Sequence, residues 1–205
     1  MKKAVIFDMD GVIVFSENAY QRRRDIFFEK HGIKLTNEIQ EQLVGSNVKD
    51  MFIKLIPDDE NKRIDLMEKY EDFKSIYPID YQEILNPDIT QSLKNLSDMG
   101  IRLALASSSS LKSIHNILSD NQILDYFELL VSGEMFEKSK PHPEIYRYTV
   151  KKLDLDLSDC LVIEDSDIGM SAALNAGLEV ALLNNQNSKS THHIQSLHEI
   201  LKYVK

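Results

Sequence analysis

The chain has 205 residues, 42% of them hydrophobic and 28% charged, with a net charge of -9 and a single cysteine. That length suffices for one substantial core, or a core with a small appendage, and the acidic balance excludes a sequence-independent grip on nucleic acid, which needs clustered Lys and Arg on phosphates. No apolar stretch reaches the length of a membrane span and no signal-peptide cleavage pattern is seen at the start, so no membrane partner is expected. Cys160, alone, cannot form an internal disulfide; it opens an apolar run, reads as a small core residue, and fits a reducing, cytoplasmic setting.

The first predicted element is the apolar run Ala4 to Phe7, which has the character of a fully buried strand. It stops at two carboxylates, Asp8 and Asp10, followed by Gly11. Alternation along a strand sends Asp8 and Asp10 to one side and Met9 to the other. Two like charges so close repel and raise one pKa unless a cation lies between them. A divalent metal resolves this most simply, and an oxygen-only ligand set suits Mg²⁺. Gly11 lets the backbone turn sharply. Taken alone, Asp-x-Asp-Gly is also what an ordinary strand end and turn would carry.

From residue 15 to residue 84 the texture changes to long amphipathic, heavily charged segments. Ala19 to Lys30, Glu38 to Leu43, Val48 to Ile56 and Glu60 to Ile76 are predicted helices, and no strand is evident among them. The basic run Arg22-Arg23-Arg24 reads as a solvated helix face beside Glu17, Asp25 and Glu29. The segment is expected to be an inserted all-helical cap domain, residues 15–84, over a core made of 1–14 and 85–205.

After residue 86 strand and helix alternate. Short apolar runs at Ile101 to Ala106, Leu129 to Ser132, Leu161 to Ile163 and Val180 to Leu183 are separated by helices at about Asp88 to Met99, Leu111 to Asn121, Pro143 to Leu153 and Ile168 to Ala176. Such alternation means βαβ units. The fold class is therefore α/β, a Rossmann-like doubly wound parallel sheet with the helical insertion.

Three later strands also end in groups that a phosphate site uses. The second runs into Ser107-Ser108-Ser109-Ser110, hydroxyls and N–H groups at a helix start, which also serves as an ordinary N-cap. The third is followed by Ser139-Lys140-Pro141, where Lys140 offers a point charge to a phosphate. The fourth ends at Glu164-Asp165-Ser166, a second acidic pair opposite the first.

In order and spacing, Asp8-Met9-Asp10-Gly11, Ser107, Ser139-Lys140-Pro141 and Glu164-Asp165-Ser166 resemble the four motifs of the haloacid dehalogenase superfamily. Within it they resemble the helical-capped phosphatases and the β-phosphoglucomutases, over essentially the whole chain. The resemblance implies that Asp8 is the nucleophile and forms an aspartyl phosphate, and that Asp10 protonates the leaving oxygen and then activates water. It implies Mg²⁺ as cofactor, with ligands from Asp8, the backbone carbonyl of Asp10, and Asp165 with Glu164 near it, and phosphoryl contacts from Ser107, Ser108 and Lys140. This division of labour agrees with elementary chemistry, since a metal-bound carboxylate stays ionised while its neighbour is free to hold a proton. True dehalogenases lack the acidic metal pattern, so phosphate esters are favoured over halogenated acids.

Substrate choice is expected to come from the insertion, where the chain departs from the mutases. A mutase histidine position is here Tyr20; counting from Gly45, a mutase arginine position is here Val48, beside Lys49; and Phe15 stands where an acidic residue is common. Lys49, Lys69 or Arg22 are the remaining candidates for a second phosphate contact. The expected activity is thus hydrolysis of a small phosphorylated metabolite, a sugar phosphate by class, with β-phosphoglucomutase as the alternative and a non-catalytic phospho-receiver or binding module as a remote one. His142 is read as a bystander, and His31, His115, His192, His193 and His198 as helical residues without ligand spacing. The sequence leaves the oligomeric state open, a monomer being compatible with it.

Overall fold

The computed structural model describes residues 1–43 and 46–205. Contacts divide them into two compact units, Met1–Phe15 with Tyr81–Lys205, and Ser16–Asp80.

The larger unit is built on a parallel sheet. Its strands among the described residues are β1 (Ala4–Phe7), β2 (Arg102–Ser107), β3 (Leu129–Ser132), β4 (Cys160–Glu164), β5 (Glu179–Leu183) and β6 (His192–Ile194), in the order β3-β2-β1-β4-β5-β6. Every pairing is parallel. β1 lies inside the sheet, with Ala4 opposite both Arg102 and Cys160, and all four of its residues are buried. Val5, Phe7 and Met9 enter one apolar cluster and Ala4 and Ile6 the other. A strand so placed must be apolar on both faces, which is why it reads as an unbroken hydrophobic run. The helices α5 (Ile89–Asp98) and α6 (Leu111–Asp120) contribute to the first cluster, and α7 (Glu144–Leu153) and α8 (Asp167–Ala176) to the second. Cys160 is a core residue, as its neighbours suggest.

Two strands run further than their hydrophobic segments. β2 takes in Ser107, paired with Ser132, and β4 takes in Glu164, paired with Leu182. A polar residue can end a buried strand where its side chain finds internal partners, and both do. β6 is absent from the hydrophobic pattern because an edge strand of three residues has too little apolar content to register. His192 and His193 therefore lie on a strand, His31 at the C-cap of α1 (Glu17–Lys30) and His198 in a terminal 3-10 turn, which corrects the helical assignment of these histidines.

Among the described residues of the smaller unit the regular elements are all helices: α1, α2 (Asn37–Leu43), α3 (Val48–Leu55) and α4 (Glu60–Ile76). Its core is aromatic. Phe27 packs edge-on against Tyr70 at 4.9 Å and Phe73 at 5.3 Å between ring centres, and Phe28 lies 5.4 Å from Phe52. The basic run is not a solvated face. Arg24 is buried, donating from Nε to Gln40 Oε1 at 2.8 Å and pairing with Glu17. Arg23 lies over the rings of Tyr20 and Tyr70, and only Arg22 is exposed. An arginine stem carries enough apolar surface to be packed into a helix interface when its head is paired.

The two chain crossings between the units run side by side. Val14 and Leu85 form an antiparallel bridge, Phe15 N donates to Ile84 O at 2.7 Å, and Asn86 donates from N to Ile13 O and from Nδ2 to Val12 O, each at 2.8 Å.

Candidate active site

Strand order reverses between β1 and β4, and in an open α/β sheet the crevice outside the carboxyl ends at such a point is where ligands bind. Asp8 directly follows β1, its N–H donating to Ile163 O of β4 at 2.9 Å. Glu164 closes β4 and Asp165 follows it. The topology alone brings the two acidic pairs together.

Lys140 joins them. Its Nζ donates to Asp8 Oδ1 at 2.6 Å and Glu164 Oε1 at 2.7 Å, and lies 3.0 Å from both Ala106 O and the Tyr146 hydroxyl. The Tyr146 hydroxyl in turn donates to Glu164 Oε1 at 2.6 Å. The other Glu164 oxygen accepts from Ser166 Oγ at 3.2 Å and Asp165 N at 3.3 Å. Asp8 is 7% exposed and Glu164 1%, so this is a buried ionic network rather than a surface pair.

Two glycines make room for it. A Cβ on Gly169 of α8 would lie 1.9 to 2.1 Å from the Glu164 carboxyl atoms. One on Gly11, which has φ +82°, would lie 1.8 Å from Asp165 Oδ2. No side chain fits either position, so the carboxylates occupy space that the glycines leave.

The serine run has divided roles. Ser107 is 1% exposed and its Oγ accepts from Ser109 N at 3.1 Å. Ser109 Oγ donates to Asp10 Oδ2 at 3.1 Å. Ser110 caps α6, accepting from Ser113 N at 3.2 Å. Ser108 is half-buried beside Gly133, whose position leaves only 3.0 Å between a Cβ and Ser108 Cα. Sequence reasoning missed Ser132, whose Oγ donates to Ser109 O at 2.7 Å, and Tyr146, which sits on the apolar face of α7 and looks like core.

The electrostatics demand positive charge. Burial pushes the Asp8 carboxyl well above its usual range; Lys140 pulls it back, while Glu164, Asp165 and Asp10 add to the rise. Asp165 is pushed up to about 7, first by burial and then by Glu164 and Asp10. Burial alone would lower the Lys140 pKa, but Asp8 and Glu164 outweigh it and hold the ammonium well above its ordinary value. Asp8, Glu164 and Asp165 each offer an oxygen, and these atoms lie within 4.8 Å of one another. With one ammonium against several crowded carboxylates, the donor set fits a hard divalent cation. The Asp10 carboxylate stands outside that group and faces Ser109.

The residues expected to select substrate belong to the helical unit. Tyr20 is on α1 and half-buried beside Arg23, and Lys49 is exposed on α3. Lys69 on α4 is exposed and paired with Asp65 at 2.7 Å. Gly45 lies outside the described residues. His142 lines a surface cleft of about 390 Å³ with Phe136, Glu144, Arg147, Tyr148 and Lys151, a lining that includes none of Asp8, Asp10, Glu164 and Asp165.

The family model described as haloacid dehalogenase-like hydrolase matches residues 5–183, a span that holds every group of this network. The chain belongs to that hydrolase family. Among relatives, it is 28% identical over 183 residues to the phosphorylated carbohydrates phosphatase of Thermotoga maritima, covering 86% of this chain and 82% of that one. It is 31% identical over 184 residues to the beta-phosphoglucomutase of Bacillus subtilis, covering 86% and 80%. The crystal structure of beta-phosphoglucomutase from Clostridium difficile superposes with a TM-score of 0.87 at 24% identity, covering all of this chain and 96% of that one, a likeness of fold. Membership in the haloacid dehalogenase-like hydrolases sets aside the phospho-receiver reading. Among the described residues no helix is long and apolar enough to cross a membrane.

Proposed function

We propose that this haloacid dehalogenase-like hydrolase is a Mg²⁺-dependent phosphomonoesterase acting on a small phosphorylated metabolite, a sugar phosphate by class, through an aspartyl phosphate on Asp8. The observation that carries the reading is the buried contact of Lys140 with both Asp8 and Glu164 at a sheet switch point, with Asp165 adjoining. It is an electropositive handle and a nucleophile held together among carboxylates that need a cation.

In this mechanism Asp8 Oδ1 is held by Lys140, and Oδ2 attacks phosphorus. The P–O ester bond breaks and its electron pair leaves on the ester oxygen, which takes a proton from Asp10. Lys140 and the Ser107 hydroxyl stabilise the equatorial phosphoryl oxygens, the electrostatic contribution on which phosphoryl transfer chiefly depends. Asp10, now a carboxylate, takes a proton from water as the water oxygen attacks the same phosphorus. The acyl phosphate bond breaks, phosphate departs and Asp8 is restored. Asp8, Asp165 and the Asp10 carbonyl would hold Mg²⁺, with Glu164 behind them; bound there, the ion neutralises phosphate charge and keeps Asp8 ionised.

The relative that hydrolyses phosphorylated carbohydrates supports the sugar-phosphate class, and the choice among such esters falls to the helical unit. The single thiol suits a cytoplasmic setting. The likeness to a beta-phosphoglucomutase favours one second reading, interconversion of β-glucose 1-phosphate and glucose 6-phosphate. Against it stand Tyr20 and Val48 at the mutase histidine and arginine positions, and the engagement of Lys69 with Asp65.

Hydrolysis of p-nitrophenyl phosphate should require Mg²⁺ and stop with EDTA. A rapid acid quench during turnover should show intact mass raised by one PO₃ unit in the native chain and none in Asp8→Asn, which should be inactive. Turnover without that adduct would overturn the Asp8 assignment. With β-glucose 1-phosphate and a trace of the 1,6-bisphosphate, free phosphate should appear faster than glucose 6-phosphate; the reverse order would establish the mutase.

A further inference from the structure

The four motifs leave Tyr146 without a role, yet it makes some of the shortest polar contacts in the molecule. Its side chain is fully buried. A phenol buried so completely needs a partner for its hydroxyl, and this one has two in the same network: it donates to Glu164 Oε1 at 2.6 Å and lies 3.0 Å from Lys140 Nζ. With its proton committed to the carboxylate, the Tyr146 oxygen can only accept from the lysine. The Lys140 ammonium also lies 4.9 Å from the Tyr146 ring centre, so ring and hydroxyl together form one wall of the lysine's enclosure.

Lys140 has three N–H groups and four acceptors within 3.0 Å: Asp8 Oδ1, Glu164 Oε1, Ala106 O and the Tyr146 hydroxyl. A flexible four-carbon stem would otherwise let its charge wander. Glu164, in turn, could face either the lysine or a cation beside Asp165. What decides is Oε1, which takes Lys140 and Tyr146 together, while Oε2 is held by Ser166 Oγ and Asp165 N.

We infer that Tyr146 is a positioning residue: its hydroxyl commits Glu164 to Lys140 and so fixes the lysine ammonium at the point where it meets the phosphoryl oxygens. The inference rests on the phosphatase reading for its catalytic consequence, but the positioning itself requires no substrate.

The first test uses the native protein labelled with ¹⁵N-lysine. The Lys140 ammonium should give a slowly exchanging NH₃⁺ signal, and the Tyr146 hydroxyl a slowly exchanging proton; absence of that proton from the native spectrum overturns the inference before any variant is made. In Tyr146→Phe, which keeps the ring, the Lys140 signal should broaden into fast exchange. With p-nitrophenyl phosphate and saturating Mg²⁺, kcat should fall about tenfold while KM changes less than threefold, the pattern of a misplaced charge felt chiefly in the transition state.

Tyr148→Phe, on the same helix but packed against Phe136, should change neither reading. A Tyr146→Phe protein that melts lower but keeps the lysine signal and kcat would show a purely structural tyrosine and overturn the proposal. If the native protein shows the protected lysine and hydroxyl yet hydrolyses no ester, the phosphatase reading fails and the positioning stands.

Discussion

At the scale of single residues, the glycines next to the acidic pairs constrain the site as tightly as the charged groups do. Gly169 has no special backbone angle and sits inside α8, where alanine would ordinarily be the better helix former by about 1 kcal/mol. Here the added methyl would meet the Glu164 carboxyl at about 2 Å. Gly169→Ala should therefore destabilise the protein by about 1–3 kcal/mol, as overpacking does, with loss of phosphatase activity; urea denaturation and an ester assay measure the two effects. A stabilised variant would mean the carboxylate moves aside freely. Cys160 illustrates the opposite case, a group that chemistry leaves idle. Burial pushes its thiol up to about 11, so at pH 8 only about one part in a thousand is thiolate, the reactive form. An aromatic disulfide reagent should leave the folded chain unmodified over the time in which it titrates one thiol in guanidinium. Because Cys160 is fully buried, any slow native labelling must pass through opening of the core, and should rise with pH only up to the ordinary thiol pKa of about 8.5.

Among the elements, ion pairs hold neighbouring strands at their starting ends, Lys3 to Asp159 at 2.8 Å between β1 and β4 in the sheet's centre, and Arg102 to Glu128 between β2 and β3 at its edge. Arg102, opening β2, holds Glu128 just before β3 from Nε at 2.7 Å and also from Nη2, and its Nη1 reaches Leu153 O at 2.7 Å. The hydrogen bonds from Arg102 lower the Glu128 pKa. A carboxylate lowered in the folded state contributes stability above its unfolded pKa and loses it as pH falls through the folded one. Glu128→Gln should thus cost about 0.2–1 kcal/mol near pH 7, the range for an exposed pair, and the difference from native should vanish in acid, below the ordinary carboxylate range. Guanidinium titrations at two pH values check it; equal differences at both would remove the ion pair from the account. Burial, rather than these contacts, explains what the sequence made legible. β1 and its neighbours could be read because burial on two faces leaves an unbroken apolar run, and the acidic pairs because they interrupt such runs. β6 could not, since its three residues, two of them histidine, carry too little apolar content to register. Arg24 and Tyr146 could not either: a charged residue in the helical unit's core and a tyrosine in an ionic network each obey partners distant in sequence, which periodicity does not register.

For the whole molecule, the close approach of the two crossings makes the helical segment an insertion in the physical sense. The Val14–Leu85 bridge and the Phe15–Ile84 hydrogen bond lie within the larger unit. Residues 16–80 should therefore be replaceable by a short Gly-Ser linker without unravelling the sheet. The shortened chain should melt in one cooperative transition with the far-ultraviolet signal of an α/β protein; an insoluble or molten product would show that the sheet depends on the helices. One further consequence attaches to where β1 sits. It is synthesised before both neighbours, which begin only at Arg102 and Cys160, so on the ribosome it emerges as a bare apolar segment long before anything exists for it to pair with. Closure of the sheet must await nearly the whole chain, which favours slow folding and exposes the nascent polypeptide to aggregation. Translation with and without a trigger of chaperone capture should reveal that delay as holdase occupancy persisting until β4 has left the exit tunnel.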